Sequence, residues 1–394
     1  MHGGRHYLFW AVTATRLMET ARTNYRNIQG LRAIAALMVL TSHLFWDMPP
    51  MRTHWAKPWF VAVGPSGVDI FFVISGFIIY HVTRRSAARA AVVGRGRALY
   101  EFMMKRVIRI YPLYWIVFGA ASVMMIWLPP VSSFVKKPQV ELLFLIDGLP
   151  NFRVQAAWTL TFEIYFYAVT ALSLAVFPTR VHVGWLIWFA VVGVATFLAT
   201  VFGLRIPLDY VFAPIVLEFL LGIGVGVLIE RGECRFRCAA IGVGMAWLLL
   251  GSLPLQADGG RAALSYLLRL GCWGLPAALV VYGTVAFESG GMRRVMPAAL
   301  QYLGNASFSI YLWHAVIFIG VAAAFDHLGW VGVVNRSLLA VAMGLVGLGV
   351  GLLSYHLLET PLLRMLGRRF LGHGVARTRW IPPCPHPATD ETLT

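Results

Sequence analysis

Arg32 and His43 lie in one apolar stretch near the start of the chain, I-Q-G-L-R-A-I-A-A-L-M-V-L-T-S-H-L-F-W. In a helix, residues eleven apart lie on one face, about 16 Å apart along the axis. We therefore expect one cavity to hold both. Histidine changes charge near neutral pH and serves as a general base or nucleophile. The structural alternatives are a buried neutral imidazole bonded to a neighbouring helix, and an arginine that reaches the lipid headgroups.

Arg106 and Arg109 are three residues apart in K-R-V-I-R-I-Y-P-L-Y-W, at the start of another apolar stretch. That spacing places them next to each other on one helix face. Two guanidinium groups in this arrangement can clamp phosphates. The alternative is ordinary anchoring of a helix end by basic residues on the cytoplasmic side.

Three carboxylates lie inside apolar segments. Asp69 occurs in G-V-D-I-F-F-V-I-S-G-F and Glu163 in W-T-L-T-F-E-I-Y-F-Y, among aromatic rings able to stack on sugars. An unpaired carboxylate inside a membrane is strongly disfavoured, so Asp69 requires an arginine or histidine partner. Glu163 or Glu218 can pair with Arg269 or another cation. Catalysis and a helix-to-helix ion pair without chemistry both remain open.

Other polar residues receive structural interpretations. His314 lies about two turns after Ser307 in N-A-S-F-S-I-Y-L-W-H. We expect His356, Glu359 and Arg364 to cap and anchor the cytoplasmic end of the last helix. Close helix packing, rather than a phosphate-binding loop, explains three glycines inside one apolar segment: Gly222, Gly224 and Gly226.

The composition identifies the elements that must position these residues. Of 394 residues, 59% are hydrophobic and 13% charged, with a mean hydropathy of +0.71. Ordinary soluble domains carry roughly a quarter charged residues. We therefore predict an all-α polytopic transmembrane bundle of about ten spans. They lie near 28–46, 59–81, 106–128, 156–177, 183–202, 208–229, 239–256, 264–287, 306–325 and 330–355.

The charge pattern predicts the orientation. The net charge is +16, from 33 Lys and Arg against 17 Asp and Glu. Basic residues concentrate on alternate loops, so both termini are predicted to be cytoplasmic. The sequence shows no basic face interleaved with aromatic residues, so nothing in it indicates nucleic-acid binding. We predict a cytoplasmic segment over 1–27, a transmembrane domain over 28–360, and a partly disordered cytoplasmic tail over 361–394.

The four cysteines, Cys234, Cys238, Cys272 and Cys384, form no paired framework. We expect no disulfide and no metal site, because no histidine or cysteine follows Cys234 and Cys238 at zinc spacing.

With these motifs, the chain resembles the acyltransferase-3 family of integral-membrane acyltransferases, especially members that O-acetylate bacterial surface polysaccharides. The resemblance rests on the R-x10-H pair, the R-x-x-R pair before Y-P-L-Y-W, G-V-D-I-F-F-V-I-S-G-F, W-T-L-T-F-E-I-Y-F-Y, F-S-I-Y-L-W-H and S-Y-H-L-L-E-T-P. It extends along the whole chain.

The resemblance implies an O-acyltransferase in the inner membrane of a bacterium. It would move a short acyl group, usually acetyl from cytoplasmic acetyl-CoA, to a hydroxyl of a cell-surface or lipid-linked polysaccharide. No cofactor would be bound permanently. Partners would be acyl-CoA, the glycan, membrane lipids and other polysaccharide-synthesis proteins. Any acceptor-side helper is expected to be a separate protein.

Site roles follow from the same resemblance. His43 would be the essential histidine and Arg32 its motif partner, while Arg106 and Arg109 would bind the donor. We expect His43 to act as general base or to accept the acyl group transiently. Asp69 or Glu163 would hold its tautomer, as a carboxylate does in a catalytic triad.

Two other classes of function remain. A transporter or flippase for a lipid-linked glycan would use the buried charges as a path and would consume no acyl-CoA. A scaffold subunit of a polysaccharide-synthesis complex would tolerate substitution of His43.

Overall fold

The computed structural model describes residues 25–47, 54–127, 143–145, 154–203, 212–257, 267–289, 295–330 and 335–372. Of these residues, 89% are helical and none lies in a strand, which confirms the predicted all-α class. The helices are α1 (Arg26–Asp47), α2 (Lys57–Val63), α3 (Ser66–Val93), α4 (Arg95–Trp127), α5 (Trp158–Val176), α6 (Val181–Phe202), α7 (Leu217–Glu230), α8 (Arg237–Ala257), α9 (Leu275–Ser289), α10 (Ala298–Asn305), α11 (Ser307–His327), α12 (Arg336–Ser354) and α13 (Thr360–Leu371).

Two π-helical turns interrupt this pattern. Leu270–Gly274 leads into α9, and Tyr355–Glu359 joins α12 to α13. A π turn holds an extra residue, so it rotates the side chains that follow relative to a regular helix. Both turns lie next to buried charged residues of the site described below.

Among the described residues, eight helical segments are long and apolar enough to cross a membrane, which supports a multi-pass membrane protein. Two predicted spans, 208–229 and 239–256, coincide instead with α7 and α8. Helix α7 has 14 residues, and its length of about 21 Å is short of the ~30 Å hydrocarbon core. The described apolar part of α8 is Arg237–Ser252. The count of ten is therefore not confirmed, and the orientation of the termini stays a prediction.

Helix α1 lies at the centre of the bundle, where it packs against α3, α9, α10, α11 and α12. Its first turn is fixed from outside the helix. The carboxylate of Glu288 accepts the backbone N–H groups of Arg26 and Asn27, each at 2.9 Å. The Asn27 side chain accepts the backbone N–H of Met296 at 2.8 Å. These bonds satisfy helix-terminal donors and fix the start of the helix that carries the arginine–histidine pair.

The described helices extend beyond one predicted boundary. Helix α13 continues past residue 360 to Leu371. The N-terminal segment up to residue 24 and the tail after residue 372 lie outside the described residues. Cys234, Cys238 and Cys272 are free thiols, as expected, and Cys384 lies outside the described part of the chain.

Close contact between α3 and α7 depends on glycine. A Cβ atom at Gly222 would collide with the backbone of Val73 and would lie 2.8 Å from the backbone nitrogen of Phe77. At Gly226 it would lie 2.6 Å from the Tyr80 ring. The predicted packing role is confirmed for these two glycines. It is wrong for Gly224, where a Cβ would meet nothing within 4 Å among the described residues.

Substitution of these glycines by alanine separates packing from helix propensity. We predict that Gly222→Ala lowers the free energy of unfolding by about 1–3 kcal/mol, because two backbones must move apart. Gly224→Ala keeps or raises it, since alanine favours a helix by roughly 1 kcal/mol over glycine. Thermal unfolding in detergent measures both. Equal destabilisation by the two substitutions would contradict the packing geometry.

Candidate active site

An open cavity with about 850 Å³ of empty space lies between α1, α3, α4, α5 and α11. Four predicted site residues line it: Arg32, Arg106, Arg109 and Glu163. Hydroxyl-bearing side chains complete the polar part of the wall: Ser75, Thr159, Tyr167, Ser307 and Tyr311. The fold thus collects residues distant in sequence around one space.

Arg106 and Arg109 reach this cavity together, as their spacing predicts. Arg106 is 4% exposed, and its guanidinium lies 5.3 Å from the centre of the Tyr167 ring. Its Nε is buried without a hydrogen-bond partner among the described residues. Arg109 lies 5.0 Å from the Phe308 ring and pairs with Glu359. Arg106 therefore retains a donor for an anionic ligand.

Glu359 lies inside the bundle, where it is 1% exposed. It accepts hydrogen bonds from Arg109 and, at 2.6 Å, from the Ser309 hydroxyl. The expected capping role at a helix end is therefore wrong for this residue. The cause is the π turn Tyr355–Glu359, which displaces the side chain from the position that a regular helix gives it.

Glu163 and Arg32 complete the charges of the cavity. Tyr167, one turn further along α5, donates its hydroxyl hydrogen to Glu163. Arg32 is close enough to interact electrostatically with Glu163, Glu359 and Arg109. Three guanidinium groups and two carboxylates leave one excess positive charge at this site. The excess favours an anionic ligand.

His43 does not belong to the lining of this cavity. Its ring is edge-to-face with His314 of α11, with ring centres 5.1 Å apart and an interplanar angle of 66°. The His314 ring centre is 5.8 Å from that of Tyr311, which lines the cavity. The expectation of one cavity for Arg32 and His43 is corrected. Their axial separation of about 16 Å on α1 places them at different depths.

Asp69 is fully buried and has the arginine partner that the sequence requires. Arg269 donates to its two carboxylate oxygens at 2.9 and 2.8 Å. Glu218 is also fully buried, but neither of its oxygens has a hydrogen-bond partner among the described residues. Arg269 therefore bonds to Asp69, and its charge also acts on Glu218.

The predicted carboxylate support for His43 stays a prediction. Asp69 binds Arg269, and Glu163 accepts from Tyr167. Both carboxylates thus have partners other than His43. His314 is a neighbour of His43.

Sequence reasoning missed three residues of this arrangement. Tyr167 had a readable signal, since it follows Glu163 by four residues and such pairs meet on a helix. His314 lies in a recognised motif, but its partner is on a helix distant in sequence. Glu359 was assigned to a helix end, because nothing in the sequence marks the π turn that contains it.

Comparison with known proteins finds relatives along most of the chain. A family model described as an acyltransferase domain matches residues 25–356. The exopolysaccharide production protein ExoZ of Rhizobium meliloti is 31% identical over 337 residues, which cover 80% of this chain and 94% of that protein. Acyltransferase MdmB of Streptomyces mycarofaciens is 27% identical over 93% of this chain and 96% of its own length.

A third relative aligns over a shorter region. The peptidoglycan O-acetyltransferase OatA of Listeria monocytogenes is 24% identical over 178 residues, or 41% of this chain and 26% of OatA. No solved structure matches the chain.

The ion pair between Arg109 and Glu359 generates a stability prediction. Glu359→Ala leaves the Arg109 side chain, which is 17% exposed, without its partner. Loss of one member of a buried pair costs about 3–5 kcal/mol. The control Glu230→Ala removes a pair with Arg84 whose side chains are 35% and 52% exposed, at a cost of about 0–1 kcal/mol. Similar shifts of the unfolding midpoint in detergent would show that burial of the pair is unimportant.

Proposed function

Because this chain belongs to the acyltransferase 3 family of membrane O-acetyltransferases, we propose both its donor and its acceptor. It moves an acetyl, or another short acyl, group from cytoplasmic acetyl-CoA to a hydroxyl of a cell-surface or lipid-linked polysaccharide. The single observation that supports this assignment most strongly is the cavity in which Arg32, Arg106 and Arg109 meet.

The charge of the cavity supports an acyl-CoA donor. The phosphates of coenzyme A are anionic, and guanidinium groups bind phosphate through paired hydrogen bonds. Arg106 has a buried Nε that no described residue accepts from, and Arg109 lies beside it. In this proposal the phosphates bind these two arginines. The pantetheine arm then runs along α1, past Arg32, towards His43.

His43 provides the acid–base chemistry in this mechanism. As general base, it removes the proton of the acceptor hydroxyl while the oxygen attacks the thioester carbonyl. The carbon–sulfur bond breaks, and the imidazolium returns the proton to the departing thiolate. In the alternative route, the histidine is acylated transiently and then passes the acyl group to the hydroxyl. Overall, the same bonds break and form. Arg32, about 16 Å from His43 along the same helix, holds the donor where its pantetheine arm passes.

The buried acids have supporting roles in this account. Glu163 lines the cavity and, with Tyr167, presents a polar edge towards the substrates. Asp69, held by Arg269, fixes α3 against the segment that precedes α9. Asp69 therefore contributes to catalysis by positioning the cavity wall.

The relatives support a glycan acceptor. ExoZ is named for exopolysaccharide production and OatA for O-acetylation of peptidoglycan. Both proteins come from bacteria, which supports a location in the bacterial inner membrane. We further propose that both termini are cytoplasmic, so that the arginine-rich cavity opens towards cytoplasmic acetyl-CoA. Other polysaccharide-synthesis proteins and lipids surround the enzyme in this proposal.

Transfer of label tests this proposal. Membranes that contain the protein are incubated with acetyl-CoA radiolabelled in the acetyl group, and the glycan fraction is counted. We expect label in wild-type membranes and a loss of roughly 100-fold or more in His43→Ala, since a lost general base costs about 10²–10⁴ in rate. The control His182→Ala changes an exposed histidine on α6 and retains transfer.

Two outcomes would contradict the proposal. Unchanged transfer in His43→Ala would remove the histidine from the mechanism. No transfer from acetyl, succinyl or longer acyl-CoA, with the wild-type protein inserted, would favour movement of a lipid-linked glycan without acylation.

A further inference from the structure

His314 meets His43 at the contact between α1 and α11. The ring centres are 5.1 Å apart and the ring planes are inclined by 66°. A hydrogen bond of about 3 Å between two ring nitrogens also puts imidazole centres roughly 5 Å apart. The two backbones are therefore at the right separation for the rings to share a hydrogen bond.

The protonation of His314 follows from its surroundings. The residue is 1% exposed, and its Nδ1 lies 3.2 Å from the backbone carbonyl oxygen of Ile310. A carbonyl oxygen only accepts, so Nδ1 carries the hydrogen of the neutral ring. Nε2 is then an acceptor, and it is buried without a hydrogen-bond partner among the described residues.

A buried acceptor without a partner requires an explanation, because nearly all such groups are satisfied in folded proteins. His43 offers one. An imidazole that works as a base at one nitrogen carries a hydrogen on the other, and a third group usually accepts that hydrogen. Asp69 accepts from Arg269, and Glu163 accepts from Tyr167.

We propose that His314 is the positioning residue for His43. Its Nε2 accepts the N–H of His43 that faces away from the reacting hydroxyl, after a rotation about the Cβ–Cγ bond of His43. Such torsions have broad preferences, so the rotation is easy. This inference rests on the proposed role of His43 as the base.

The proton balance of the transfer is unchanged by this assignment. The hydroxyl proton moves to His43 and from there to the departing thiolate. His314 keeps its own hydrogen on Nδ1, directed at Ile310, and only accepts a hydrogen bond. A neutral acceptor suits this position, because a carboxylate would add another charge to an apolar bundle.

The same residue links His43 to the wall of the arginine-rich cavity. The Tyr311 ring lies 5.8 Å from His314. The Tyr311 hydroxyl shares a hydrogen bond of 2.8 Å with Thr159 and donates at 3.0 Å to the carbonyl oxygen of Ala156. Tyr311 is thereby held in place beside His314.

Two substitutions of His314 separate positioning from packing. His314→Leu fills the space without an acceptor, and His314→Gln offers an amide oxygen near the place of Nε2. We expect His314→Leu to lower the rate of acetyl transfer roughly 100-fold, while the KM for acetyl-CoA stays within about twofold. His314→Gln should recover at least about tenfold of that loss. Equal rates in the two variants, or a loss seen only in KM, would overturn the proposal.

A second measurement does not depend on acyl transfer. Nitrogen-15 magnetic resonance of histidine-labelled protein in bilayers reports the tautomer and hydrogen bonding of each ring, and His43→Gln identifies the His43 signals. We expect His314→Gln to change those signals and His182→Gln to leave them unchanged. If neither variant changes them, the contact has no role in holding His43. If the wild type transfers no acyl group but the signals respond, the proposed function fails and the hydrogen bond stands.

Discussion

Burial of charge among apolar helices is the constraint on which this structure depends. An arginine or carboxylate inside the bundle is costly unless another charged or polar group compensates it. Asp69 and Arg269 compensate each other between α3 and the segment before α9. Arg109 and Glu359 do so between α4 and the π turn that follows α12. These pairs join helices that are distant in sequence, so they also fix the walls of the cavity.

The compensation is incomplete at the cavity, and that is where a ligand fits. Three arginines approach one another there against two carboxylates, and Arg106 keeps a buried donor without a described acceptor. His43 lies on the same helix as Arg32 but deeper along its axis, next to His314. An extended donor can therefore place its anionic end at the arginines and its reactive end near the histidines.

Much of this site could be predicted from the sequence, because helix periodicity is a local property. The spacing of Arg106 and Arg109 correctly placed both at one surface, and the burial of Asp69 correctly required an arginine or histidine partner. Glu359 could not be predicted, since a π turn changes the direction of its side chain and has no sequence signature. The partner of His43 depends on how α1 packs against α11, a long-range contact that one sequence does not specify.

The fold likewise has features that the sequence predicts and features that it does not. Hydropathy located the helices, but it could not establish that α7 has only 14 residues. Composition could not separate Gly222, which touches a neighbouring backbone, from Gly224, which faces open space. Local pattern thus identifies elements, while the contacts between them decide which residues are indispensable.

Binding of coenzyme A tests the central claim most directly, namely that the arginine-rich cavity holds the donor. Purified protein in lipid nanodiscs is titrated with radiolabelled coenzyme A, beside Arg106→Gln and the control Arg180→Gln, which changes an exposed arginine. We predict saturable binding that weakens about tenfold or more in Arg106→Gln, since a charged hydrogen bond contributes roughly 1.5–3 kcal/mol. Arg180→Gln should bind like the wild type. Absence of saturable binding, or equal affinity in Arg106→Gln and the wild type, would contradict the account.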